Sequence, residues 1–273
     1  MTSKKVWVVS SLLVVLLLFV YRPYRTELEL SQLDLPHCEM NQKLQTQVTF
    51  YVDHAISNPK LETNLKDAIE YGNQVLRNSC IPMERMLKTI EYVDFKLSGG
   101  EDEYVIHSRL EKAVGEGRIS QHRAHPTDYY VVVLKDERSV FDDGTTGIAD
   151  ITNNNGNNAL ISDRASIHVL EHELGHIAWA QHKDTWPFPS LESSIKLAVD
   201  EHLHFKLKRY ARAFTCTNAG TVMSYEERIL PIYSSPEIRY RGKACGDSDV
   251  ADNARVLREY AMDQMAILQE VRK

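Results

Sequence analysis

The stretch His168-Val-Leu-Glu-His-Glu-Leu-Gly-His-Ile-Ala-Trp-Ala-Gln-His182 constrains this chain more than any other. It reads as a helix, on which residues four apart lie one above the other, so His172 and His176 face the same way. Glu173 falls between them. Two imidazoles on one helix face can converge on a zinc ion, and a carboxylate beside them can take a proton from metal-bound water. Such a site needs a third protein ligand and one position open to water. His182 can serve only if the chain doubles back, because on a continued helix it would lie about 240° around the axis from His176. The helix must therefore break between Ile177 and Gln181.

With Thr221-Val-Met-Ser-Tyr225 downstream, His172, Glu173, His176 and His182 resemble the signature of the metzincin zinc peptidases, HExxHxxGxxH followed by a methionine turn. One position departs: Trp179 stands where the family has glycine. A non-glycine residue in a left-handed turn costs about 1–2 kcal/mol. The resemblance covers roughly residues 46–273 and implies zinc as the cofactor and a protein or peptide as the substrate. It implies His172, His176 and His182 as ligands, Glu173 as general base, and Met223 as an apolar base beneath the metal. By the same resemblance Tyr225 would approach the zinc or stabilise an oxyanion. Two other readings stay open. In a gluzincin-type site Glu201 or Glu192 would be the third ligand, and the scaffold could also carry a non-catalytic zinc-binding domain. His168, about 12 Å along the axis from His176, is too far away to share the ion.

Upstream, Gln47–Val52 alternates as a strand should, and Pro59–Asn78 carries apolar residues at helical spacing. Pro82–Phe95 reads as a second strand, Glu103–Val114 as a second helix, and Tyr129–Leu134 as a strand buried on both faces. This β-α-β-α-β order predicts an open sheet with crossover helices. Thr146–Ile151 is expected to be an antiparallel edge strand and Ala159–Ser162 the last strand before the zinc helix. An exposed edge beside the metal could take an extended peptide as an added strand, which makes Gly147, Ile148, Ala149 and Asp150 the substrate-binding residues.

Downstream, Asp184–Ser190 is a loop and Leu191–Phe214 reads as a helical insertion. Tyr233–Glu237 and Asp249–Arg255 look like the closing segment of bacterial metzincins, the latter opening a final amphipathic helix. The fold class is thus mixed α/β (α+β). It comprises a twisted, mostly parallel sheet with an antiparallel edge strand and an active-site helix, then a smaller, mostly helical C-terminal subdomain. Residues 46–182 would form the upper subdomain and 183–273 the lower one.

Residues 1–25 are read separately. Lys4-Lys5 precede about 16 residues, Val6–Tyr21, that are apolar but for Ser10 and Ser11. No small-x-small cleavage site follows, which favours an uncleaved membrane anchor over a removed signal peptide. Residues 26–45 would be a tether. The four cysteines, Cys38, Cys80, Cys216 and Cys245, lack metal-ligand spacing. Of three possible pairings, Cys38–Cys80 with Cys216–Cys245 closes each bridge within one half; four free thiols, or a Cys38 thiolate reaching the zinc from Pro36-His37-Cys38, are the alternatives. Disulfides with an anchor point to an extracytoplasmic domain, periplasmic in a Gram-negative cell, or else to a protein secreted after signal cleavage. The net charge of -6 gives no footprint for nucleic acid.

Overall fold

The computed structural model describes residues 30–141, 144–149, 156–183 and 199–271, with Leu28 and Lys196. The expected anchor, Asp150 and Glu192 lie outside them. In chain order the strands are β1 (Leu33–Asp34), β2 (Leu44–Asp53), β3 (Met83–Val93), β4 (Asp128–Leu134), β5 (Gly147–Ala149), β6 (Asn158–Ser162), β7 (Thr215–Cys216), β8 (Ala219–Gly220), β9 (Ser235–Tyr240) and β10 (Lys243–Cys245). The helices are α1 (Leu61–Asn78), α2 (Glu103–Val114), α3 (Glu116–Ala124), α4 (Val169–Ile177) and α5 (Asn253–Val271).

The main sheet has five strands in the order β3-β2-β4-β6-β5, parallel except for β5, which pairs antiparallel with β6 through Ile148 opposite Leu160. The fold combines a mostly parallel sheet, an antiparallel edge strand and a long closing helix, as the sequence led one to expect. Tyr129–Leu134 is fully buried at the centre, as a continuous apolar run requires. Period-2 alternation splits its side chains between two layers. Tyr129, Val131 and Val133 join Phe50 and Val52 against Leu65 and Ile69 of α1 and Leu170 and Leu174 of α4. Tyr130, Val132 and Leu134 join Tyr51 against Ile106 and Leu110 of α2 and Ile119 of α3. Burying each such aliphatic side chain stabilises the fold by about 1.5–3 kcal/mol, which holds α4 to the sheet.

α2 starts where Asp102 Oδ1 accepts the Val105 N–H at 2.9 Å and stops at Gly115, whose φ of 97° lets the chain turn into α3. α3 has no counterpart in the sequence reading, because its polar face hides the period.

Of the expected helical insertion Leu191–Phe214, the described residues are Lys196, which is helical, and 199–214, where a 3-10 turn, Glu201–Lys206, is followed by irregular chain over Leu207–Phe214 until β7 begins at Thr215. The last helix is the long amphipathic one expected, but small antiparallel ribbons, β7-β8 and β1-β9-β10, accompany it. Leu33–Asp34, in the expected tether, pairs with β9 of the lower half. Cys38–Cys80 and Cys216–Cys245 are disulfide-bonded, so Cys38 is no thiolate ligand. No described helix is long and apolar enough to cross a membrane.

Candidate metal centre

α4 ends by a specific device. The Trp179 N–H bonds to the His176 carbonyl at 2.8 Å and the Ala180 N–H to the Gly175 carbonyl at 3.0 Å, while Trp179 itself has φ of 71°. This is the Schellman closure, with the left-handed position occupied by tryptophan instead of glycine. The strain is offset by the indole, which packs into a core with Ala178, Val199 and Leu203. The Lys206 ammonium lies 5.3 Å from its ring centroid. The chain then reverses, and Asn253 pins the returning Gln181: its Oδ1 accepts the Gln181 N–H at 3.2 Å and its Nδ2 donates to the Gln181 carbonyl at 3.0 Å.

That reversal brings His182 to the other two histidines. His182 Nε2 lies 2.9 Å from His172 Nε2 and 2.8 Å from His176 Nε2. The outer nitrogens are engaged by carbonyls: His172 Nδ1 with Val222 at 2.9 Å, His176 Nδ1 with Ala180 at 2.9 Å. A carbonyl only accepts, so both Nδ1 atoms carry the proton and both Nε2 atoms present lone pairs. His182 Nε2 holds at most one proton for two such lone pairs. At least one approach therefore sets lone pair against lone pair, an arrangement that a cation relieves. Burial pushes the His172 imidazole down to about 4 and that of His182 to about 3, and holds His176 well below its ordinary range. All three are neutral near pH 7, the form in which imidazole binds metal. The donor set fits zinc, with tautomers fixed by carbonyls in the usual way.

Glu173 is buried beside the histidines. Burial pushes its carboxyl up to about 8, and the charge of Glu103 adds to that. A Cβ on Gly147 would stand 2.5 Å from Glu173 Oε1, so the edge strand sits directly on this carboxylate. Met223 is fully buried, and a Cβ on Gly175 would meet its sulfur at 2.8 Å, placing the methionine turn against α4 on the side of that glycine. Tyr225 is 76% exposed, and its hydroxyl lies 2.8 Å from His182 Nδ1 and 3.0 Å from Nε2. Gly147, Ile148 and Ala149 line a cavity of about 670 Å³ together with Ser224, Tyr225 and Glu226. His168 lines it too, outside the histidine group.

His172, His176 and His182 are the group among the described residues able to hold a metal ion. Glu201 sits exposed on the 3-10 turn, outside that group, which removes it as the third ligand. The sequence reading missed the carbonyls of Val222 and Ala180, since backbone acceptors leave no mark on residue type. It also missed a polar cluster behind the helix. Arg85 of β3 is 1% exposed and Glu171 of α4 is fully buried. The guanidinium reaches both carboxylate oxygens, Nε to Oε2 at 3.0 Å and a terminal nitrogen to Oε1 at 3.1 Å, and the Tyr233 hydroxyl donates to Oε1 at 2.7 Å. A charged residue amid Val169, Leu170 and Leu174 was the available signal.

No protein-family model and no curated protein matches the chain. Among solved structures, a chain from "Structure of a chaperone-substrate complex" aligns with a TM-score of 0.60 at 12% identity, over 82% of this chain and 35% of that one. Metalloproteinase-II from Bacteroides fragilis aligns with a TM-score of 0.46 at 16% identity, over 83% of this chain and 55% of that one. This chain therefore spans about a third of the first and just over half of the second. The likeness to the first is one of fold.

Proposed function

We propose that the protein is a zinc-dependent endopeptidase. The observation that carries this reading is the convergence of three neutral imidazoles beside a buried carboxylate, in a cleft rimmed by the last strand of the sheet. Zinc, when bound by His172, His176 and His182, supplies Lewis acidity for the scissile carbonyl and lowers the pKa of a coordinated water toward ~7. Glu173 accepts the proton of that water and passes it to the leaving amine. The Tyr225 hydroxyl, close to His182 and open to the cleft, donates to the developing oxyanion. Backbone groups of Gly147, Ile148 and Ala149, continuing toward Asp150, bind an extended peptide as an added strand. Met223 supports the histidines from below without binding.

The reading extends to residues 1–25 as a membrane anchor with the site extracytoplasmic; two disulfides support an oxidising compartment. The test is incubation of the zinc-loaded protein with a mixed peptide library. Wild type cleaves internal bonds and stops on chelation. Glu173→Gln keeps stoichiometric zinc and loses at least about 10³-fold in turnover, since the general base is removed from a step that depends on it. An uncut library with wild type, or full turnover in the variant, overturns the reading.

A further inference from the structure

We propose that Glu171, Arg85 and Tyr233 form a positioning unit that sets the roll of the histidine helix, and through it the affinity of the three histidines for their metal. The inference rests on the zinc reading above and adds residues that touch neither metal nor substrate.

Glu171 precedes His172, and on α4 it shares a face with Gly175, about 100° round from the face of His172 and His176. Three separate elements converge on its carboxylate. Arg85 comes from β3, and its third nitrogen contact is to Thr46 Oγ1 of β2 at 3.2 Å. α1 approaches so closely that a Cβ on Gly72 would stand 2.8 Å from Glu171 Oε2. Tyr233 comes from the lower half; its hydroxyl lies 3.0 Å from the Glu171 carbonyl, and a Cβ on Gly175 would meet that hydroxyl at 2.7 Å. The Tyr233 N–H in turn donates to Ser79 Oγ at 2.8 Å, just beyond the end of α1.

Stability alone does not account for such a cluster. Replacing a buried ion pair by apolar residues of similar volume is often neutral or stabilising, because desolvation cancels most of the attraction. Direction is what the cluster adds. The apolar contacts of Val169, Leu170, Leu174 and Ile177 resist lifting of α4 from the sheet, but the hydrophobic attraction behind them is non-directional. A planar guanidinium gripping both carboxylate oxygens fixes an angle. A 10° roll of a helix of about 5–6 Å outer radius moves a side-chain tip by about 1 Å. Metal–ligand distances tolerate about 0.2 Å.

The experiment compares full-length wild type with Tyr233→Phe and with the double variant Arg85→Met/Glu171→Leu. Tyr233→Phe removes one hydroxyl while the ring stays packed; the double variant removes both charges together. Zinc affinity is measured by chelator competition, site geometry by the visible spectrum of the cobalt-substituted protein, and fold by thermal unfolding of the metal-free protein. Both variants are expected to bind zinc about 10–100-fold more weakly. Their cobalt spectra shift, and the double variant keeps its metal-free unfolding midpoint within a few degrees. Affinity within threefold of wild type and an unchanged spectrum in Tyr233→Phe overturns the proposal, and decides it alone if the double variant does not fold. A lowered metal-free midpoint with unchanged affinity also overturns it, by assigning the cluster a structural role only. Wild type that binds no zinc overturns the peptidase reading as well, whereas zinc-binding variants equal to wild type overturn only the positioning unit.

Discussion

Before the histidine helix, position is set by repetition: β2 pairs with β3 over ten residues and with β4 over six, and two apolar layers press on the sheet from either side. After it, position is set by single groups. One amide side chain and one backbone N–H hold Gln181, one serine hydroxyl receives the Tyr233 N–H, one carbonyl orients His172, and ribbons paired over two or three residues are stapled by Cys216–Cys245. Distributed contacts tolerate the loss of any one of them with a proportionate loss of stability. Singular contacts do not, and the third imidazole is delivered by them. Stability and metal affinity should therefore respond to different substitutions.

The widest effect is expected from pH, because the strongly depressed imidazoles lie where the two halves meet. For His172, lowered to about 4, and His182, lowered to about 3, the unfolded chain takes up protons first as pH falls below about 6.5. The metal-free protein thus loses stability between about pH 6.5 and 4, on the order of 3 kcal/mol for each such histidine. Glu173 runs the other way. Its carboxyl, raised to about 8, keeps a proton that the unfolded chain has lost, so stability falls as pH rises from about 4.5 to 8. Together these place the stability maximum of the metal-free protein near pH ~6.5, which denaturant titrations across pH will locate. A flat profile from pH 5 to 8 would break the comparison, since the boundary would then hold no electrostatic cost.

A smaller effect is expected at the turn. Trp179→Gly removes a buried indole, a loss of about 3–5 kcal/mol, and relieves about 1–2 kcal/mol of left-handed strain, for a net destabilisation of about 2–3 kcal/mol. Urea unfolding measures it. A stabilised variant would show that glycine is the better residue here and that the indole packs to no effect.

The smallest change in stability carries the sharpest contrast. Val131→Ala in the central strand should cost about 2 kcal/mol through lost burial and leave zinc affinity within twofold. Asn253→Ala should cost only about 1–2 kcal/mol, yet weaken zinc binding at least tenfold, because the Gln181 backbone beside His182 loses both Asn253 hydrogen bonds and keeps only the Ala213 N–H on its carbonyl. Chelator competition with both proteins tests the pair; equal affinities would erase the distinction between the halves.

The same distinction explains what residue order reveals. The upper sheet was legible because Tyr129–Leu134 and the spacing of Leu61, Leu65 and Ile69 encode burial locally. The reversal at Trp179 was legible too, since only a break could bring His182 round. The lower half was not. Strands as short as Thr215–Cys216 have no period to detect, and the irregular path of Leu207–Phe214 is set by packing of Ala211 and Ala213 in the core that holds the indole. Arg85 was invisible for another reason. At an edge strand a charged residue ordinarily faces water, and its partner Glu171 lies 86 positions away in sequence.

Gly147 carries a consequence for how such a site can diversify. With room for nothing larger than hydrogen between strand β5 and the Glu173 carboxylate, the separation of main chain from carboxylate is a hard contact and has no adjustable side chain in it. In the proposed peptidase, side chains along the groove could change to admit new substrates while the reach from a docked backbone to the Glu173 carboxylate stayed constant.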